Sequence, residues 1–253
     1  MDSTFWVRTP VSHTTPTAIL SALAEEQQGL VAQLQEPVRV RRAGREFWTG
    51  QLAGQPVVLA LSRIGKVAAA TTTATLIEAF GVGRVVFTGV AGGVGPGVRV
   101  GDVVVGSAFV QHDMDASPLF PRYEIPLYGQ SVFPGDPALT ALLLQACGAA
   151  LPAQTGARLH HGLIASGDRF VSNAAESAAI LQALQAGGHL PLAVEMEGAA
   201  VAQVCADYAV PFAAVRTISD RADDQAHVDF PAFVADVASV YARKIIAELM
   251  VLL

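Results

Sequence analysis

Between positions 193 and 220 a short apolar strand ends in Glu195-Met196-Glu197, a run of small residues suited to a packed helix follows, and a second apolar strand closes on Ser219-Asp220. Strand, helix and strand in so few residues predict a right-handed β-α-β unit whose two strands run parallel in one sheet. That arrangement gathers Glu195, Glu197 and Asp220 at one sheet edge. Ligands bind at that edge in open α/β sheets.

The rest of the chain reads as more of the same architecture. Apolar strands at 17–21, 84–88 and 158–165 alternate with helical patterns at 24–35, 66–80, 139–150, 174–186 and 230–253. In the second helix Val67, Ala70, Ala74 and Ile77 form the expected core stripe. Three strands at 38–42, 46–52 and 57–62, parted by Ala43-Gly44 and Ala53-Gly54, predict antiparallel neighbours. The fold class is therefore α/β, a single domain with a central mixed twisted sheet flanked by helices. With 253 residues, 52% hydrophobic and 15% charged, and no linker in view, one large core is expected over 17–253. Residues 1–16, with two prolines and no continuous apolar core, read as a flexible extension and not a secretory signal.

Several function classes drop out. A net charge of −6 leaves no electrostatic footprint for nucleic acid or an anionic membrane. The longest uncharged run, 138–151, is shorter than the roughly 20 residues of a membrane span. Cys147 and Cys205 stand in helical runs outside any Cys-x-x-Cys pair, as small buried residues in a reducing compartment do, which points to the cytoplasm. His112-Asp113-Met114-Asp115 has metal-like ligand types but a single histidine, and His160 and His161 alternate across a strand, so no metal is expected. The glycine run 89–97 has neither a phosphate-loop ending nor a dinucleotide fingerprint, and more strand, 98–110, is expected after it. No cofactor is called for. The run is either a glycine turn or a place where backbone approaches a ligand closely. Prolines 118, 121 and 126 make 117–133 a surface loop that can shape a pocket or a subunit contact.

Polar or glycine-rich turns follow strands at 21–26, 89–97, 166–170, 195–197 and 219–220. A pocket built from them holds carboxylates, backbone donors and one aromatic residue. That inventory suits glycosidic cleavage, in which carboxylates stabilise an oxocarbenium-like centre, an acid protonates the leaving group and a base activates water. Each group also has a structural reading: Glu25 and Glu26 as acidic residues of a first helical turn, Glu197 and Asp220 as helix-start or turn residues.

The segments Thr88-Gly89-Val90-Ala91-Gly92-Gly93, Val100-Gly101-Asp102-Val103, Ser166-Gly167-Asp168, Val194-Glu195-Met196-Glu197 and Val215-Arg216-Thr217-Ile218-Ser219-Asp220 resemble the nucleoside phosphorylase and nucleosidase superfamily. Within it the chain is most similar to the 5′-methylthioadenosine/S-adenosylhomocysteine nucleosidases, with Ser62-Arg63-Ile64-Gly65-Lys66 adding to the match. The resemblance implies a nucleoside phosphorylase-like fold and an adenine nucleoside substrate. It makes Asp220 the acid that protonates adenine N7, with a raised pKa, and Ser219 its orienting neighbour. Glu26 would activate water with Arg216 beside it, and Glu197 would hold the ribose hydroxyls. Met196 would lie against the sugar, Phe170 would stack on the base, the backbone of Val171 would read the purine edge, and Ala91 and Gly92 would lie near the sugar. A homodimer is implied. Val90 departs from the Ser common at this position near the catalytic water, and the segment 114–129 departs from the pattern in a way that bears on the 5′ substituent. A phosphate-dependent phosphorylase and a non-catalytic nucleoside sensor are the alternatives; Glu26, an anion where phosphate would sit, favours water.

Overall fold

A computed structural model describes residues 15–151, 156–222 and 233–253. The expected extension, 1–16, lies outside the described residues apart from its last two positions. The strands are β1 (Thr17–Ser21), β2 (Gln35–Arg42), β3 (Arg45–Leu52), β4 (Gln55–Leu61), β5 (Arg84–Gly93), β6 (Val103–Gln111), β7 (Val132–Pro134), β8 (Leu159–Ser166), β9 (Pro191–Glu195) and β10 (Phe212–Asp220). The helices are α1 (Ala24–Val31), α2 (Lys66–Phe80), α3 (Pro137–Ala150), α4 (Ala174–Ala186), α5 (Gly198–Asp207) and, after a π-helical turn at Val234–Ala238, α6 (Ser239–Leu252).

These ten strands form one mixed sheet in the order β10-β6-β8-β9-β5-β1-β4-β3-β2, with β7 on β6 and a further β10–β5 pairing. That last pairing closes β5, β9, β8, β6 and β10 into a ring, and β1 to β4 continue from it as an open sheet. The β2–β3 and β3–β4 pairs are antiparallel, as the hairpin signals require. Successive residues of β1 enter opposite layers: Ala18 and Leu20 pack with α2 and α5, whereas Ile19 packs with α1, α3 and α6. The same alternation separates Val85 and Phe87 from Val86 in β5, and Ala214 from Ala213 and Val215 in β10. Cys205 belongs to the first layer and Cys147 to the second, both as free buried thiols.

Several expectations are corrected. Strands β9 and β10 are not parallel, because β9 runs antiparallel to β5 while β10 runs parallel to it. Helix α1 stops at Val31; after a turn at Ala32 and Gln33 the chain enters β2 at Gln35, where Glu36, with a left-handed φ of 51°, and Pro37 fall at a shift in the β2–β3 register. Helix α2 buries Ala69, Thr72, Thr73, Leu76 and Ile77 in place of the Val67, Ala70 and Ala74 stripe, and Val67 is 79% exposed. The threonines can face the core because Thr72 and Thr73 return their hydroxyls to the carbonyls of Ala68 and Ala69, at 2.9 and 2.8 Å. Glycines 89 to 93 belong to strand β5, and positions 98–102 form a turn before β6. There Asp102 accepts the N–H groups of Arg99 and Arg158 and contacts His160 Nε2 at 2.8 Å, which gives the Val-Gly-Asp motif a structural use. The segment 117–133 is only partly a surface loop, since Tyr123, Ile125 and Phe133 are buried.

Candidate active site

Strand β5 pairs with β1 over Arg84 to Phe87, then leaves it and joins β9 at Gly92 and Gly93. The parting of β1 from β9 opens a cavity of about 290 Å³, near the lower end of the usual range for small-molecule sites. This is a switch point of the kind at which α/β sheets bind ligands. Asp220 lies opposite Gly92 on one side of β5 and Val194 opposite the same glycine on the other, which brings Glu195, Glu197 and Asp220 together although their strands run in opposite senses.

Every candidate residue lines this cavity: Glu26, Ala91, Gly92, Phe170, Val171, Met196, Glu197, Arg216, Ser219 and Asp220. Sequence reasoning left Leu23, Ile64, Phe87 and Arg169 unassigned and gave Glu195 no separate role, yet all five line the wall too. The Glu-x-Glu pattern was the available signal for Glu195. The apolar residues lay in strands or turns with no polar marker. No cavity-lining residue among those described comes from 114–129.

Glu26 is 1% exposed, and three backbone N–H groups fix it. Ala22 and Leu23 donate to Oε2, each at 2.9 Å, and Val90 donates to Oε1 at 3.1 Å. The helix-start reading and the pocket reading of Glu26 therefore hold together: it caps α1 and faces the cavity. Burial raises its pKa, opposed by the Leu23 N–H, the Arg216 charge and the Ala22 and Val90 N–H groups. Gly89 belongs beside it, since a Cβ there would stand 3.1 Å from Glu26 Oε1.

Arg216 is 1% exposed, and its closest anion is Glu195, with Nη2 to Oε2 at 2.7 Å. Nη1 donates to the carbonyls of Phe87 and Val215, and the guanidinium lies 4.0 Å from the Phe87 ring centroid. Glu195 also accepts the N–H groups of Glu197 and Gly198 and the Ser166 hydroxyl, so it caps α5 while it neutralises Arg216. Arg216 thus acts on Glu26 through its charge; its hydrogen bonds go elsewhere.

Glu197 accepts the Gly65 N–H at 2.8 Å, and burial, then repulsion from Glu195, pushes its pKa up to about 8. Ser219 Oγ donates to Asp220 Oδ2 at 2.7 Å, and Asp220 Oδ1 accepts the Ala222 N–H at 2.7 Å. Phe170 stands half exposed at the mouth. His112 and Asp113 do not converge on an ion: His112 packs against Gly167, and Asp113 pairs with Lys66. Among the described residues no three His, Cys, Asp or Glu side chains are grouped to hold a metal, and no helix is long and apolar enough to cross a membrane.

The family model of the phosphorylase superfamily matches residues 16–250. A curated 5′-methylthioadenosine/S-adenosylhomocysteine nucleosidase from Shewanella denitrificans is 36% identical over 231 residues, 91% of this chain and 97% of the relative. The crystal structure of the nucleosidase of that name from Neisseria meningitidis, in complex with methylthio-immucillin-A, superimposes with a TM-score of 0.86 at 35% identity, covering 94% of this chain and all of that one. A structure of futalosine hydrolase from Helicobacter pylori gives a TM-score of 0.82 at 32% identity, covering 93% and 97%. The chain belongs to the phosphorylase superfamily and, within it, to the family of the 5′-methylthioadenosine/S-adenosylhomocysteine nucleosidases.

Proposed function

We propose that the chain hydrolyses the N-glycosidic bond of 5′-methylthioadenosine, S-adenosylhomocysteine and related adenine nucleosides. The observation that supports this best is that the cavity offers a phosphate no free cation: four carboxyl groups, Glu26, Glu195, Glu197 and Asp220, face it, and Arg216, the one buried cation among the described residues that line it, is already paired with Glu195. Such a site stabilises a sugar that becomes positively charged and disfavours bound phosphate, which sets hydrolysis above phosphorolysis.

In this reading Phe170 stacks on the base, the Val171 backbone reads its edge, and Asp220, oriented by Ser219, protonates adenine N7. Glu197 takes the ribose hydroxyls, with Met196 against the sugar and Ala91 and Gly92 beneath it. As the C1′–N9 bond breaks, Glu26 accepts a proton from the water that bonds to C1′, leaving free adenine and a ribosyl product. Burial raises the basicity of Glu26, and the Arg216 charge keeps it within reach of its ionised form. The Val90 N–H holds the Glu26 carboxylate, a task that needs no side-chain hydroxyl at position 90. The working form is a homodimer in the cytoplasm.

The test is adenine release from methylthioadenosine, S-adenosylhomocysteine and adenosine, each with and without phosphate. Phosphate-independent release that falls about 10²–10⁴-fold in both Asp220→Asn and Glu26→Gln is expected. A sugar 1-phosphate product would move the chain to the phosphorylases, and binding without release would leave a sensor.

A further inference from the structure

Beside the cavity, an ion-pair cluster ties together three segments, two of which reach it. Lys66, the first residue of α2, directs Nζ to Asp113 Oδ1 at 2.5 Å and to Gln111 Oε1 at 3.0 Å, and lies 4.0 Å from Asp168 Oδ2. Asp113 uses its other oxygen to accept the backbone N–H of Asp168 at 2.9 Å. Asp168 Oδ1 in turn accepts the backbone N–H of Lys66 at 2.8 Å, which closes the circuit. Gln111 extends it to α5, with Nε2 donating to Gln203 Oε1 at 2.9 Å. The side chains of Lys66 and Asp113 are only 16% and 30% exposed, so the pair is partly shielded from the water and salt that weaken a surface pair. Burial alone would raise the Asp113 carboxyl, but the Lys66 ammonium and the Asp168 N–H hold it below the usual carboxylate range.

Each end of the circuit leads into the cavity, although Lys66, Asp113 and Asp168 do not line it. The residues after Asp168 are Arg169, Phe170 and Val171, all on the cavity wall. The residue before Lys66 is Gly65, whose N–H donates to Glu197 Oε1. Helix α2 has no side-chain cap of its own at Gly65, so Asp168 supplies one from the far segment. Gly65 has a φ of 97°, and a Cβ there would stand 3.1 Å from Asp168 Oδ1. The closeness of the two segments depends on that glycine.

We propose that, in the adenine-nucleoside cleavage inferred above, Lys66 and Asp113 are positioning residues that hold the Phe170–Val171 wall in register with Glu197 and so set substrate affinity. The bond-breaking groups, Asp220 and Glu26, hang on other elements. Loosening the clamp therefore raises KM and leaves kcat nearly intact.

The test compares the full chain with Lys66→Met, Lys66→Arg, Asp113→Asn and the double variant Lys66→Met/Asp113→Asn. It measures kcat and KM for methylthioadenosine together with hydrogen exchange of peptides covering 166–171. Lys66→Met and Asp113→Asn are each expected to raise KM about tenfold with kcat within about twofold, and to speed exchange in 166–171. Because both variants break one circuit, the double variant should be no worse than the worse single one. Lys66→Arg should recover most of the affinity. The clamp is refuted by an unchanged KM and exchange in Lys66→Met, by a fall in kcat at constant KM, or by multiplicative effects in the double variant. If the wild type releases no adenine, the nucleosidase reading fails and exchange alone decides: faster in 166–171 upholds the clamp, unchanged refutes it. The nearly isosteric Asp113→Asn takes the place of Lys66→Met should the latter not fold.

Discussion

The carboxyl of Glu197 is buried with little to favour its charge: Gly65 gives it one N–H, Glu195 repels it, and burial holds its pKa up to about 8. A free glutamate titrates near 4.5. Folding therefore favours the protonated form, and this contribution to stability is complete below the unfolded value. As pH rises from about 4.5 to about 8 the unfolded chain releases its proton while the folded chain keeps it, so stability is lost across that window. Glu197→Gln removes the titration and keeps the shape. Its Tm relative to wild type should climb between pH 5 and pH 8.5, a tenfold difference in proton affinity between the folded and unfolded chain being worth about 1.4 kcal/mol. Thermal unfolding of both proteins at several pH values checks this, and a difference that stays flat or shrinks with pH would exclude the buried neutral acid. Substrate binding should suffer in the same variant, a trade of function against stability that is common where active sites bury charge.

Among elements, β5 decides where the site lies, because it passes from β1 at one end to β9 at the other. Its glycines are there for close approach: a Cβ on Gly92 would stand 2.9 Å from both Asp220 Oδ1 and Ala222 Cβ. Gly92→Ala should therefore push Asp220 off its position and lower kcat by about 10²-fold, the scale of an ångström-sized misplacement. The unfolding midpoint in denaturant should fall as well, because the new Cβ also meets Ala222 Cβ at 2.9 Å, an atom with no rotamer to escape into. Retained kcat would show that Asp220 has room to spare. Most site residues were legible in the sequence because they stand at or just beyond a strand end, a local pattern that survives whatever the strands pair with; Arg216, inside β10, was legible only through the family resemblance. The direction of β9 was not legible: strand, helix and strand read as a parallel crossover, and only the distant β5 reverses that by taking β9 as an antiparallel partner. The core face of α2 was hidden for another reason. Thr72 and Thr73 count as polar in a pattern but satisfy their hydroxyls within the helix, which frees them for the core and leaves Val67 outside.

At the scale of the whole molecule, that exposed Val67 has company. Ile64 at 58% and Phe170 at 48% exposure stand at the cavity mouth, next to Val67 at 79% on the first turn of α2. Apolar side chains grouped around an opening mark a surface that another surface covers. In the homodimer proposed above, two copies of net charge −6 would repel at long range, so apolar burial would have to drive their association, which should then persist, or tighten, as salt is raised. A dimer that covers this rim would also wall off the side of the cavity where Phe170 stands open, excluding water from all but the reacting position. Val67→Glu introduces a charge into that contact at a residue that does not itself line the cavity. Sedimentation equilibrium should find a dimer for the wild type and a shift toward monomer for Val67→Glu, and the monomer should bind substrate about tenfold more weakly, in keeping with a lost apolar wall worth about 1–3 kcal/mol. A wild type that is monomeric at assay concentrations and fully active would remove the dimer from the mechanism and leave Phe170 to hold the base alone.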